Sequence, residues 1–244
     1  MVVPLFEDCY APITSEIGFL ECNAAAAAHA YVEWGRPIQA ERGVREDIVE
    51  MCGTLISKIR YLLPLTDIER RRTLFVPTRS NWTAYFDNGW RGTDAYSAVS
   101  YLCEQIGCRG IRAVYVPHTL RGPRTNEKGR YGATIFELYA PNTEGCFFLN
   151  TQRSIFAVND GSRWQFEANG TPLPFEASEH YQASRIRARF TPELLDSYLG
   201  ALGIHFFSAN FYDVQQQPAY LVSKVGPCAA GMKTYSLEEA RSYF

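Results

Sequence analysis

The sequence predicts an α+β fold: a mixed, mainly antiparallel sheet in the middle of the chain, flanked by N-terminal and C-terminal helices. Three observations predict it. An alanine run and apolar residues at three- and four-residue spacing fill the first quarter, β-branched and aromatic runs separated by turn formers fill residues 73–169, and a capped helical stretch returns after residue 190. On this reading the 244 residues form one domain, helical over 1–69, sheet-rich over 70–170, and helical and irregular over 171–244.

The first helix is expected over Asn23–Trp34 (NAAAAAHAYVEW), where Asn23 caps and five alanines have the best helix propensity. A second is expected over Arg45–Leu63, from the spacing of Ile48, Met51, Cys52, Leu55, Ile56, Ile59 and Leu63; Gly53 weakens it and Pro64 ends it. TLFVP (Thr73–Pro77) and WTAYF (Trp82–Phe86) predict two strands joined as a hairpin or a short strand-loop-strand step. Asp94 then reads as the cap of a helix through Ala98, Val99, Tyr101, Leu102 and Ile106, closed by Gly107. Arg112–Val116 resumes as a strand, parallel to Trp82–Phe86 if a right-handed crossover keeps both in one sheet.

Pro117–Arg130 reads as a long polar loop carrying Arg121, Arg124, Lys128 and Arg130. Strands follow: ATIFELYA from Ala133, FFLN from Phe147 running or turning into SIFAVN from Ser154, and RWQFEAN from Arg163, with Asp160-Gly161 as a hairpin turn. Thr191 as cap and Pro192 at the first helical position start a helix that runs through Leu202 and stops at Gly203. Residues 206–235 show no sustained period and are expected to wrap over the body. Ser236 with Glu239 forms a capping box for a terminal helix.

Composition narrows the function classes. With 46% hydrophobic and 14% aromatic residues and a net charge of -2, the chain offsets its ordering entropy by burial, which excludes disorder and binding to polyanions through bulk charge. The charge is nevertheless uneven: residues 1–69 carry 5 basic and 11 acidic side chains, residues 70–190 carry 16 and 10, and residues 191–244 carry 3 and 5. Seven cysteines lie scattered with no C-x-x-C pair, which suits reduced thiols. The start MVVPLFEDCYAPITSE lacks the basic and apolar regions of a signal peptide, and no apolar run is long enough for a membrane span, so a cytoplasmic protein without membrane contact is expected.

No motif for a Ser nucleophile elbow, a zinc protease, a phosphate loop, a dinucleotide fold or an EF-hand is present. Four histidines in dissimilar contexts offer no metal site, no cofactor is implied, and the charge balance speaks against a dedicated nucleic-acid binder. A pairing of Cys103 or Cys108 with His118 is conceivable, yet neither cysteine sits in an activating sequence. The densest feature is Asn81–Leu102. Within it Trp82, Tyr85, Asp87, Asn88, Trp90, Arg91 and Asp94 combine the aromatic and arginine side chains that dominate binding hot spots, beside residues that can equally serve as core, turn and helix cap.

NWTAYFDNGWRGTD, RYGATIFELYAP, RSIFAVNDGSRWQFEANGTPLPFE and RFTPELLDSYLGALGI together resemble a family of uncharacterised bacterial proteins associated with loci of polymorphic or secreted antibacterial toxins. The resemblance spans about Gly18 to Tyr212 and implies an immunity-type protein that binds and neutralises a cognate protein toxin. It brings no catalytic residue with it. The expected partner-binding surface joins Trp82, Tyr85, Asp87, Asn88, Trp90, Arg91 and Asp94 to Arg121 and Arg124 of the polar loop. The alternative is an enzyme or binding protein for a phosphorylated or nucleotide-like small molecule, with Arg91, Arg121 and Arg124 gripping the anion and Asp87 or Asp94 moving a proton. The two differ in geometry: an enzyme needs the arginines and acids in one pocket, whereas an inhibitor spreads its anchors over a face.

Overall fold

The computed structural model describes residues 2–67, 70–120, 129–141, 150–227 and 232–242. Its strands are β1 (Glu16–Leu20), β2 (Arg45–Met51), β3 (Leu65–Thr66), β4 (Thr73–Pro77), β5 (Thr83–Asp87), β6 (Gly110–Val116), β7 (Ala133–Tyr139), β8 (Thr151–Asn159), β9 (Trp164–Gly170), β10 (Ala219–Val225) and β11 (Thr234–Tyr235). Its α-helices are α1 (Ala24–Glu41), α2 (Leu55–Ile59), α3 (Ala95–Ile106), α4 (Pro192–Ala201) and α5 (Leu237–Ser242). Among the described residues nine strands make one sheet in the order β2-β10-β4-β5-β1-β6-β7-β8-β9, and β11 pairs with β3 beside it. Every neighbouring pair in the large sheet is antiparallel. The fold class is α+β, as the alternating and turn-punctuated middle of the sequence predicts.

Strand alternation gives the sheet two apolar faces. Phe19, Leu74, Val76, Phe86, Ala113 and Phe136 point into a core completed by α4 and the C-terminal Phe206, Phe211 and Tyr212. Leu20, Phe75, Tyr85, Tyr139 and Val222 face the other way, beneath Ala27, Ala28 and Tyr31 of α1 and Ala95, Val99 and Leu102 of α3. The alanines let α1 lie close. Close approach of α3 depends on two glycines: a Cβ on Gly18 would sit 2.4 Å from Val99 Cγ2, and one on Gly110 would sit 2.8 Å from Val99 Cγ1.

Local signals were decisive where a cap or turn was present. Asn23 accepts the Ala26 amide at 2.8 Å, Thr191 caps α4 with Pro192 following, and Ser236 and Glu239 exchange bonds at 2.7 and 3.1 Å. Asp160 turns the chain between β8 and β9, and β4 and β5 form the expected hairpin. Gly107 closes α3 at φ 72. β5 and β6 point the same way, but β1 lies between them and is antiparallel to both.

Four expectations are corrected. Arg45–Met51 is a strand at the sheet's edge; only Leu55–Ile59 is α-helical, followed by a 3-10 turn over Arg60–Leu62. Gly53 at φ 112 separates strand from helix, and the apparent helical period came from two elements read as one. The first helix continues past Trp34 to Glu41, with Pro37 inside it. The tail does not simply wrap: β10 is inserted between β2 and β4, and Tyr220, Leu221 and Val222 pair on both sides. Asp94 sits at the start of α3 without capping it through its side chain, because its carboxylate is taken up by Arg71 Nη1 at 3.0 Å and the Ser97 hydroxyl at 3.1 Å. Residues 147–149 of the FFLN segment, Arg121 and Arg124 fall outside the described residues.

Candidate functional site: a basic groove at one end of the sheet

The segment Trp82–Asp94 divides into a buried half and a reachable half. Trp82, Tyr85, Asp87 and Asn88, expected on the partner-binding surface, are 0–1% exposed, because β5 runs through the sheet interior and carries its side chains into the two cores. Trp82 donates its indole N–H to the Leu202 carbonyl at 2.9 Å. Asn88 braces the chain, accepting the Arg72 amide at 2.6 Å and donating to the Pro64 carbonyl at 3.0 Å. These residues are framework.

Asp87 is the centre of a buried polar cluster. Its carboxylate accepts the Gly89 amide at 2.8 Å, the Asp94 amide at 3.0 Å and the Tyr85 hydroxyl at 3.2 Å, with Arg71 Nη1 3.5 Å away. Burial pushes the Asp87 carboxyl above its ordinary value, although Arg71 and both amides pull it down. Asp94 holds the same Arg71 Nη1 at 3.0 Å and accepts the Ser97 hydroxyl. Arg71, Tyr85 and Asp94 line a cleft of about 410 Å³ between α1 and α3, with Tyr31 and Trp34 on its wall. Every polar atom of Asp87 that could move a proton is already bonded, so the cluster anchors the start of α3 to the sheet.

Trp90, Arg91 and the start of β7 lead elsewhere. Trp90 donates to Asp67 Oδ1 at 2.6 Å and stacks on Tyr235 with ring centroids 4.7 Å apart. Arg91 is exposed and lies over the Trp90 ring at 4.7 Å. Arg91 and Gly92 share a groove of about 170 Å³ with Arg130, Tyr131 and Arg241, over a floor of Pro12, Val114 and Val116. The groove lies where β1 and β7 begin and β5 and β6 end.

Its lining carries three guanidiniums and one carboxylate. Arg130 pairs with Asp8, yet burial and the neighbouring Arg241 guanidinium hold its pKa below the ordinary arginine value. Two crowded guanidiniums favour an anion near them. Glu16, on the groove wall, is engaged by Arg112 at 2.8 and 3.1 Å and by the Ala95 amide. Tyr131 is 50% exposed and supplies an aromatic edge. An apolar floor with guanidiniums on the rim suits a carboxylate or phosphate carried on an apolar stem.

The structure therefore brings Arg91 and Arg130 to one groove, whereas Asp94 lines the cleft between α1 and α3 and Asp87 is buried. Arg71, Arg241 and Tyr131 were not singled out by the sequence; Arg71 lies in the run Arg70-Arg71-Arg72, the one available signal. Cys108 precedes β6 and His118 follows it, and a strand of that length spans about 20 Å, so they cannot act as a pair. Among the described residues no group of three or more His, Cys, Asp or Glu is arranged to hold a metal ion, and no helix is long and apolar enough to cross a membrane. Compared with known proteins, the chain matches no family model, no curated sequence and no solved structure.

Proposed function

We propose that the chain is an immunity-type protein that binds a cognate antibacterial protein toxin and neutralises it, with the basic groove receiving an acidic segment of the toxin. The observation that carries this reading is the convergence of Arg91 and Arg130, from distant parts of the sequence, on one groove whose rim also holds Arg241 and Tyr131. Arginine and aromatic side chains around an apolar floor are hot-spot chemistry, and binding of this kind needs no acid–base pair. Asp87 and Asp94, the acid–base candidates of the alternative reading, are turned toward Arg71 instead.

The test is rescue of cells that express the toxin-like product of a neighbouring gene, with affinity measured on the purified pair. The wild-type protein should restore growth and bind the toxin. Arg91→Glu combined with Arg241→Glu should weaken binding at least tenfold while leaving thermal melting within a few degrees, since Arg91 is exposed and its removal opens no cavity. Failure to rescue and to bind, or an unchanged affinity in the double variant, sinks the proposal.

A further inference from the structure

A pair of thiols sits at the opposite end of the sheet, where β1 ends and β6 begins. The β1–β6 ladder sets Leu20 opposite Gly110, and its next step is closed by the Glu21 amide donating to the Arg109 carbonyl at 2.9 Å. One residue further in the same register come Cys22 and Cys108, where both chains leave the ladder, and both side chains pack against the core beneath α1 and α3. Opposed antiparallel residues have Cα atoms about 4.5–5.5 Å apart. A disulfide spans about 4.4–6.8 Å between the same atoms, so the register of the ladder, carried past its end, suits one.

Both cysteines are held by rigid local structure. The Cys22 carbonyl accepts the Thr83 hydroxyl at 2.7 Å, and the next residue caps α1. The Cys108 amide donates to the Cys103 carbonyl at 3.1 Å, within the glycine-closed end of α3. Both thiols are free and half-buried, and Cys22 opens on a polar cleft of about 340 Å³ shared with Asn81, Thr83 and Gln217. A hydrogen bond between the two sulfurs holds the Cys108 thiol below its ordinary value and pushes Cys22 far above it.

We infer that Cys22 and Cys108 form a thiol–disulfide exchange site, which a small-molecule disulfide of the glutathione type converts to an intramolecular disulfide. The Cys108 thiolate attacks one sulfur of the small disulfide; that S–S bond breaks, and the departing thiolate takes up the proton that Cys108 lost. Cys22 then attacks the Cys108 sulfur, releasing the second small thiol with the Cys22 proton. Two electrons pass from the protein to the small disulfide, which leaves as two thiols. The new bond ties the start of α1 to the end of α3.

The experiment is peptide mapping of the full chain under non-reducing conditions after exposure to oxidised glutathione. The expected result is a Cys22–Cys108 cross-link reversed by dithiothreitol, with exposed Cys9 and Cys52 carrying glutathione instead. In Cys22→Ser, Cys108 should retain glutathione as a mixed disulfide. The inference is overturned if Cys22 and Cys108 stay free while Cys9 and Cys52 react. A stable glutathione adduct on wild-type Cys108, or a cross-link from either residue to any other cysteine, overturns it too.

Discussion

Lys58 shows how far a single residue can depart from what its type predicts. It lies on α2 with no exposed surface, and its amine has no hydrogen-bond partner within the described residues. Burial pulls the amine below its ordinary value of 10.5, with Asp213 opposing in part. The folded chain therefore holds this proton less tightly than the unfolded chain, so stability climbs with pH between the folded pKa and 10.5. Lys58→Met should raise stability at neutral pH by about 1 kcal/mol or more and abolish that climb, as read by denaturant melts across the alkaline range. A loss of stability in Lys58→Met would show that the amine has a partner that matters. Asp87 and Trp82 teach the same lesson differently. Their types are those of hot spots and acid–base groups, and their depth in the sheet makes them framework. Residue type was legible; burial was not, because it depends on which strands flank β5.

Elements are decided by punctuation and by what packs against them. Asn23, Thr191, Ser236 and Asp160-Gly161 were readable because a cap or tight turn satisfies its own backbone groups locally. Arg45–Met51 was unreadable for the opposite reason: as an edge strand it bonds only to β10, more than a hundred residues away. α3 lies between these cases, since its pattern announced a helix but its seat is set by Gly18 and Gly110 on adjacent strands. A Cβ on Gly18 would meet Val99 Cγ2, Ala95 Cβ and Tyr85 Cβ at 2.4, 3.0 and 3.2 Å. Gly18→Ala should cost about 1–3 kcal/mol by pushing α3 off the sheet. Val99→Ala should recover part of that loss, and a double-mutant cycle from urea melts measures the coupling. Additive losses would show that the two do not meet.

At the scale of the molecule the net charge of -2 conceals an arrangement. Acidic Glu46, Asp47 and Glu50 lie on edge strand β2, where charge discourages pairing with a further strand, while Arg91, Arg130 and Arg241 collect at an end of the central strands. If an acidic toxin segment docks there, its association rate should fall steeply from about 10 mM to 150 mM salt, as the screening length shrinks from ~30 to ~8 Å. Stopped-flow mixing of the pair reads this, and a salt-independent rate would place the contact elsewhere. The sequence by itself determined the fold class, the hairpins, the capped helices and the uneven charge, since each is written in neighbouring residues. Only the tertiary structure decided that β10 enters the sheet between β2 and β4, that Asp87 serves Arg71 and α3, and that Arg91 lines one groove with Arg130 and Arg241. Those are contacts between residues far apart in the chain, and no local period or turn encodes which distant strand will supply a backbone partner or a neighbouring charge.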